Sequence, residues 1–512
     1  MKKLALIMMV VVITFSITGC NGSISQKGGL DEDAVLEGVL AEFDELAKIP
    51  RQSNHEQAVS DYLADWAKNR GFDYVQDDLK NIIIEVPATE GYENAPLTIL
   101  QGHMDMVCVA KDGVTYNPQT DPIKVIRSEE TLTADGTSLG ADNGIGVAMA
   151  QYIITAEDIV HGPLRVIFTV NEEEGFTGAL GIDAKYFQDA TYLINCDSET
   201  FGEVTESCAG SNRYNFTRAN SWTSPTGDLA YKISLSGLLG GHSGMEIGLD
   251  HANAIKNVGD ALSYASRNGV NIELAAFDGG SASNAIPTSA TATVVIAAAD
   301  QQAFEKLMAE TVNQFGQTYS QIEENFVFTY EKTEMPAKVL SDADEKSFLN
   351  LVTSIQDGVH TISQFADDLI ESSTNLGLAN IGEASTTLNT MARSSTDLHL
   401  TQYTLIYDSL AEMAGYHVEL VLPNPGWPIE TDNPLRDMYA QEYKDYTGAD
   451  AKIIAIHAGL ECGCFAQKNP ELRMISVGPD LTNVHTPNET LYLDSIAPSV
   501  EVLANLLKVI KQ

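Results

Sequence analysis

Cysteine is scarce in this chain and shows no pairing pattern. Six occur in 512 residues (Cys20, Cys108, Cys196, Cys208, Cys462 and Cys464), none in a CxxC arrangement. That argues against a disulfide scaffold and against a cysteine-built zinc site. Basic residues are equally short: 30 Lys and Arg face 71 Asp and Glu, a formal charge of −41. So acidic a surface argues against nucleic acid and against electrostatic docking on anionic lipid. Long apolar runs are missing too. Beyond the first twenty residues no segment reaches about 18 unbroken apolar residues, so none reads as a membrane span. There is no GxxxxGK[ST] phosphate loop and no internal repeat.

What is present begins with Lys2 and Lys3, then an apolar stretch over 4–17 that ends in Thr18-Gly19-Cys20. This is the layout of a secretory signal. The small residues before a cysteine resemble a bacterial lipoprotein signal, the alternative being a plain signal cut elsewhere. On this reading residues 1–20 are removed, and the protein is exported and lipid-anchored at Cys20 on the outer face of a bacterial cell membrane. That anchor is its only membrane contact. Residues 21–30 form a polar Gly/Ser tether.

The remaining roughly 490 residues exceed what one core serves and predict two or three domains. Amphipathic helices are expected at 33–49 and 56–70, and strands at 82–86, 97–100, 164–170 and 192–195. A further helix is expected at 144–155. Strands alternating with helices predict an α/β fold with a largely parallel sheet and its active edge at the strand ends. The texture changes near Asn212. Strands at 231–235, 271–276, 291–297 and 325–330, with helices at 251–267 and 301–315, predict a separate α+β layer. Strands at 452–455 and 473–477 and a closing helix at 496–510 return to the first pattern. The expected division is one catalytic domain built from two stretches of chain, 31–211 and 401–512, interrupted by an inserted domain at 212–400.

Five segments end or follow strands in polar clusters: GHMD (102–105), GADNGIG (140–146), NEEEG (171–175), NCDSE (195–199) and HAGLECG (457–463). In a strand, His103 and Asp105 face one side while Met104 faces the other, so Asp105 can orient a ligating His103. Alone, the pair also fits a satisfied core histidine. Asp142 has two oxygens and can bridge two cations, or simply cap the following helix. Three adjacent glutamates repel one another; a bound cation, a proton-handling role or a solvated acidic loop each account for them. Asp197 and His457 follow strands in the same manner. Together, two histidines and several carboxylates at strand ends suit two divalent cations with open positions for water.

At these segments the sequence resembles the aminoacyl-histidine dipeptidases (peptidase D, carnosinase-like) of the wider dizinc amidohydrolase group. The resemblance runs from about Asp33 to the C-terminus, through IPRQSNHEQAVSDYLADWAKNRGF, GHMDMV, GTSLGADNGIG, GGHSGMEIG, SNAIP and HAGLECG. It implies a zinc-peptidase catalytic domain with an inserted lid and dimerisation domain, hence a homodimer. It implies two divalent cations, zinc first, with cobalt or manganese as alternatives. His103, Asp142 and Asp197 hold one; Asp142, Glu173 and His457 hold the other. Glu172 is then the general base of peptide-bond hydrolysis and Asp105 orients His103. Glu174 stands where the family pattern has a small apolar residue. His242, in GGHSG, is the implied oxyanion donor, reaching across a dimer in one arrangement. Asn284 and Arg393 are implied ligands of the substrate's terminal carboxylate, and Glu461 a support behind the ligands. The implied substrate is a short peptide, Xaa-His types included. Two alternatives remain open at this point: a peptide-binding lipoprotein without catalysis, and an amidohydrolase of N-acyl amino acids.

Overall fold

The computed structural model describes residues 29–364 and 369–511. The signal and nearly all of the tether therefore lie outside the described residues. No helix among the described residues is long and apolar enough to cross a membrane.

The first layer is an eight-stranded sheet. Its order is Asp73–Gln76, Ile82–Val86, Leu164–Thr169, Thr98–His103, Tyr192–Asn195, Arg473–Ser476, Glu203–Cys208, Lys452–Ile456. The central strands run parallel: Thr98–His103 pairs with Leu164–Thr169 and with Tyr192–Asn195, which pairs in turn with Arg473–Ser476. The pairs at the Asp73–Gln76 side are antiparallel, so the α/β sheet is mixed with a parallel centre. Continuous apolar strands are expected when both faces are covered. Alternate residues go to opposite sides. Ile82, Ile84, Leu100, Phe168 and Ile194 join the core under the helices Glu32–Ala47, Ala141–Ile153 and Ile496–Val509. Ile83, Ile99, Ile167 and Leu193 join a second core with Phe187, Trp427 and Phe465.

The register has a direct consequence for chemistry. His103 lies opposite Thr169, and Gln101 opposite Asn195. Three parallel strands therefore end together, and the segments after them emerge at one edge.

The second layer is a nine-stranded antiparallel sheet. It runs from Val327–Thr333 through Leu229–Ser236, Ala290–Ile296, Ile272–Gly280, Ile370–Ile381, Ser385–Ser394 and Gly210–Ala219 to His417–Asn424. Gly358–Ile362 adds to Ile370–Ile381. Helices including Ala254–Arg267, Asp342–Ser354 and Asp397–Ala414 cover one face around Phe216, Leu262, Phe348, Leu376 and Tyr407. Here the expected boundary at 400 moves. Tyr403, Tyr407 and Ala411 belong to this second core, and His417–Asn424 pairs with Gly210–Ala219. The chain returns to the first layer only after Asn424. An amphipathic helix looks alike in either layer, and its partner strand is not written in its own pattern.

Candidate active site

The strand Thr98–His103 carries His103 to the common edge, where the side chain is 1% exposed. Gly102 before it leaves room for Asn143, whose Oδ1 would stand 2.5 Å from a Cβ there and would have to shift. Asp105, fully buried, ties three pieces together. Its Oδ1 lies 3.3 Å from His103 Nδ1. It accepts the backbone N–H of Glu172 (3.1 Å) and Glu173 (3.4 Å) and the Ser53 hydroxyl (2.7 Å). Burial alone would raise its pKa, but His103 and these donors hold it below the usual carboxylate range. Asp105 thus fixes both His103 and the turn that presents the glutamates.

That turn begins at Asn171, in the left-handed region at φ 55°, and continues as the short helix Glu172–Gly175. It separates the three adjacent glutamates. Glu172 and Glu173 line the cavity, while Glu174 is exposed and accepts a hydrogen bond from Asn54.

Asp142 joins two clusters. Its Oδ1 is 3.2 Å from His103 Nε2, which is also 3.3 Å from Asp197 Oδ1. Its Oδ2 is 3.0 Å from His485 Nε2, which is 2.8 Å from Glu173 Oε2. The donor atoms of His103, Asp142 and Asp197 lie within 4.8 Å of one another, as do those of Asp142, Glu173 and His485. His103, Glu172 and Glu173 form a third such group. Burial pushes Asp197 up to about 6 and Glu173 to about 7, with Asp142 adding to both. Enclosure drives Glu172 well above the carboxylate range, opposed by His103 and reinforced by Glu173, Asp197 and Glu461. Glu173 Oε1 is buried without a hydrogen-bond partner among the described residues. Crowded carboxylates, two imidazoles and an unpaired buried oxygen are a donor set that suits divalent cations.

The second triad corrects the expectation for His457. That residue lies at the end of Lys452–Ile456, the edge strand of the sheet, and does not reach the central ligands. Its Nε2 instead meets Ser373 Oγ at 2.7 Å, on the second sheet. Burial and then the nearby Arg393 hold its pKa down at about 3. His485 stands in its place, in the loop NVHTPNE. The signal for it is a histidine four residues before a glutamate in a turn-rich segment. Glu489, 3% exposed, accepts backbone N–H groups from Leu139 (2.7 Å), Gly140 (2.9 Å) and Asp142 (3.2 Å). One loop therefore provides His485 and also clamps the turn that carries Asp142. A Glu489→Gln substitution is expected to weaken metal binding roughly 10- to 100-fold, as loss of an outer partner does. Chelator competition measures this, with unchanged circular dichroism excluding unfolding.

His242 comes from the second layer and lines the cavity of its own chain together with Glu172 and Glu173. Its Nδ1 accepts the Met245 N–H at 3.2 Å, and its backbone N–H donates to Glu246 at 2.7 Å. Burial and then Arg393 lower its pKa to about 4, so it is neutral. Arg393 Nη2 is 3.3 Å from His242 Nε2, and its Nε has no hydrogen-bond partner among the described residues. Asn284 is exposed. Its carbonyl accepts the Ser243 N–H at 2.8 Å, and its side chain makes no hydrogen bond among the described residues. Glu461 is fully buried, accepts from Gln101 and Thr169 at 2.6 Å each, and is pushed up to about 8 by burial. Cys462 and Cys464 pack in the apolar cluster behind it. The cavity measures about 420 Å³. Larger clefts exist elsewhere, at 570 to 740 Å³; it is the gathered chemistry that singles out this one.

A sequence profile of peptidase family M20/M25/M40 matches residues 99–509. The cytosol non-specific dipeptidase of Escherichia coli is 33% identical over 91% of this chain and 96% of its own. The crystal structure of aminoacylhistidine dipeptidase from Vibrio alginolyticus superposes with a TM-score of 0.83 at 34% identity, covering 92% and 96%. A tripeptidase from Staphylococcus aureus shares the fold at 17% identity and a TM-score of 0.53, covering 94% and 100%. The E. coli relative overturns the expectation of an exported, lipid-anchored protein, since that enzyme is a cytosol dipeptidase matched along nearly its whole length. Family profile and near-full-length identity agree: the chain is a hydrolase of peptide bonds and belongs to peptidase family M20/M25/M40.

Proposed function

We propose that this peptidase is a dipeptidase dependent on two divalent cations, zinc first and cobalt or manganese as alternatives, with Xaa-His dipeptides among its substrates. The observation that carries this reading is Asp142, shared by two histidine–carboxylate triads at the floor of a cavity walled by His242. Similarity to a non-specific dipeptidase and to an aminoacylhistidine dipeptidase supports the substrate class.

His103, Asp142 and Asp197 would hold one cation, and Asp142, Glu173 and His485 the other. Cations held there would supply Lewis-acid chemistry, polarising a scissile carbonyl and acidifying water. Glu172 takes the proton of the attacking water and returns it to the leaving amine. Because His242 Nδ1 accepts the Met245 amide, its single proton lies on Nε2. Nε2–H and Arg393 Nη2–H then face each other as two donors, and an anion between them satisfies both. Arg393 is assigned to the substrate carboxylate. Asn284, one residue from the Ala285 that bridges His242, borders the same place.

We further assign residues 210–424 to an inserted domain that supplies His242 and forms a homodimer. Leu398, Leu405, Ile406 and Met413 stand 65%, 62%, 40% and 76% exposed on one helix. That helix lies beside the edge strand His417–Asn424. A second copy covers this apolar stripe and the open strand edge. Sedimentation is expected to give a dimer for the wild type and a monomer for Leu405→Glu.

The test of function is hydrolysis of a panel of dipeptides, tripeptides and N-acetyl amino acids, with added zinc and after chelation. Metal-dependent cleavage confined to dipeptides supports the reading, and its extent on Xaa-His members sets the specificity. Cleavage of the acyl substrates alone moves the chain to an acylase activity, and binding without turnover under every metal removes the enzyme.

A further inference from the structure

We propose that Arg213 and Arg393 together receive a dianionic C-terminal residue, so that the site prefers dipeptides ending in glutamate or aspartate. This deepens the dipeptidase reading and rests on it: Arg393 takes the terminal carboxylate and Arg213 the acidic side chain. The two arginines lie on adjacent strands, Gly210–Ala219 and Ser385–Ser394. Arg393 is opposite Ser211, and Arg213 is opposite Met391. The arginines are therefore diagonal neighbours, with backbones about 7–8 Å apart and side chains long enough to span that gap. Tyr214, Phe216, Leu388 and Ala392 join the helix-covered core, so by alternation Arg213 and Arg393 both point to the other face of the sheet. That face meets the catalytic machinery. Met391 has its sulfur 4.0 Å from Ser243 Oγ, next to His242. Leu422, opposite Arg213 on the other side, stands 3.4 Å from where a Cβ on Gly175 would be, at the end of the glutamate turn. Arg213 is thus flanked by one residue that touches the His242 loop and one that touches the Glu172 turn.

Neither guanidinium is matched by an acid. Arg393 is 6% exposed and Arg213 is partly buried. The Nε of each is buried without a hydrogen-bond partner among the described residues. Among those residues neither arginine makes an ion pair, and the Arg213 side chain makes no hydrogen bond. The charged group that acts on Arg393 is Arg213 itself, a like charge. The acids on the neighbouring segments are engaged elsewhere. Glu371 accepts from Ser394 and Ser395 at 3.0 and 2.9 Å, and Glu246 accepts the His242 N–H. Two like charges drawn out of water repel each other and cost stability unless anions meet both. Cations held by the two triads would add positive charge nearby, so they cannot balance the arginines. One carboxylate answers one guanidinium; the second needs a second negative charge on the same residue. Glutamate and aspartate carry it a few bonds from the terminal carboxylate. A histidine presents a neutral ring to Arg213, so Xaa-His peptides should rank below Xaa-Glu.

The test compares alanyl-glutamate with alanyl-glutamine, which match in size and scissile bond and differ by one charge. The zinc-loaded full chain, Arg213→Met and Arg213→Lys are assayed for turnover, for binding by calorimetry and for metal content. The wild type is expected to favour alanyl-glutamate roughly 10- to 100-fold in kcat/KM, mostly through KM, which is the worth of a hydrogen bond between charged groups. In Arg213→Met that ratio should fall to near unity. Arg213→Lys keeps the charge and should retain part of the preference. Arg213 makes no side-chain hydrogen bond among the described residues, so neither substitution breaks one, and metal content should match the wild type. A wild type without the preference, a preference that survives Arg213→Met, or loss of metal in that variant overturns the proposal. An equal fall for both peptides does so too, since Arg213 would then share the terminal carboxylate. If the wild type cleaves neither peptide, it is the dipeptidase reading that fails. Calorimetry still judges Arg213: the proposal stands only if the wild type binds alanyl-glutamate more tightly than alanyl-glutamine and Arg213→Met erases that difference.

Discussion

Glu172→Gln is expected to lower kcat by roughly 10²- to 10⁴-fold, the contribution of a positioned general base, with metal content and thermal stability close to wild type. The substitution keeps the side chain's volume and removes only its capacity to hold a proton. The two triads that share Asp142 are built without Glu172, so both remain. The Glu172 N–H to Asp105 bond is a backbone contact and survives. The neighbouring glutamates provide the controls. Glu173→Gln takes an oxygen from the triad with His485 and is expected to lose metal as well as rate. Glu174→Gln, at an exposed carboxylate, is expected to behave as wild type. The pH profile gives an independent readout. A base must be deprotonated to act, so kcat/KM falls as pH drops through the Glu172 pKa. In Glu172→Gln that acid limb is expected to disappear from the profile. Metal loss in Glu172→Gln, with full activity in Glu173→Gln, would reverse the two roles.

Much of this centre is legible in the sequence because the sheet that carries it is covered on both faces. Continuous apolar runs such as TYLIN and LRVIFT mark its strands, and a polar cluster following such a run stands out. His103 and Asp197 are visible for that reason, and Asp142 for its Gly-Ala turn. The second layer is less legible. The hairpin Ile370–Ile381 and Ser385–Ser394 is hidden because its strands are rich in Ser, Thr and Asn. Ser373, Asn375 and Arg393 are nevertheless buried. A strand reading based on apolar alternation has no signal for polar side chains buried in this way. His485 is hidden for the complementary reason. It follows only the two-residue strand Leu481–Thr482, so no apolar run announces it. His457 follows a clear apolar strand, but that strand lies at the sheet's edge, and position within a sheet is not encoded in a strand's own residues.

The same contrast sets up the largest expected effect on metal. His485→Ala removes one of three donors from the second triad, and metal affinity there should fall by more than the roughly 100-fold seen when an outer partner is lost. One of the two cations should then be missing after dialysis, and dipeptide hydrolysis should be undetectable. Asp142 and Glu173 would face each other across that gap with no imidazole between them, so added zinc should restore little. His457→Ala should keep both cations. It breaks the 2.7 Å contact with Ser373 and leaves a buried hydroxyl unpaired, a cost of about 1–3 kcal/mol in stability. The effect on rate should be smaller than for His485→Ala and should come through the seating of the second layer. That seating matters to chemistry because Ser373 lies directly across its sheet from Arg393, and Arg393 reaches His242. Metal analysis of the two variants therefore separates a residue that holds a cation from one that seats the second layer. Loss of metal in His457→Ala, with retention in His485→Ala, would return the second triad to the histidine that the strand pattern favours.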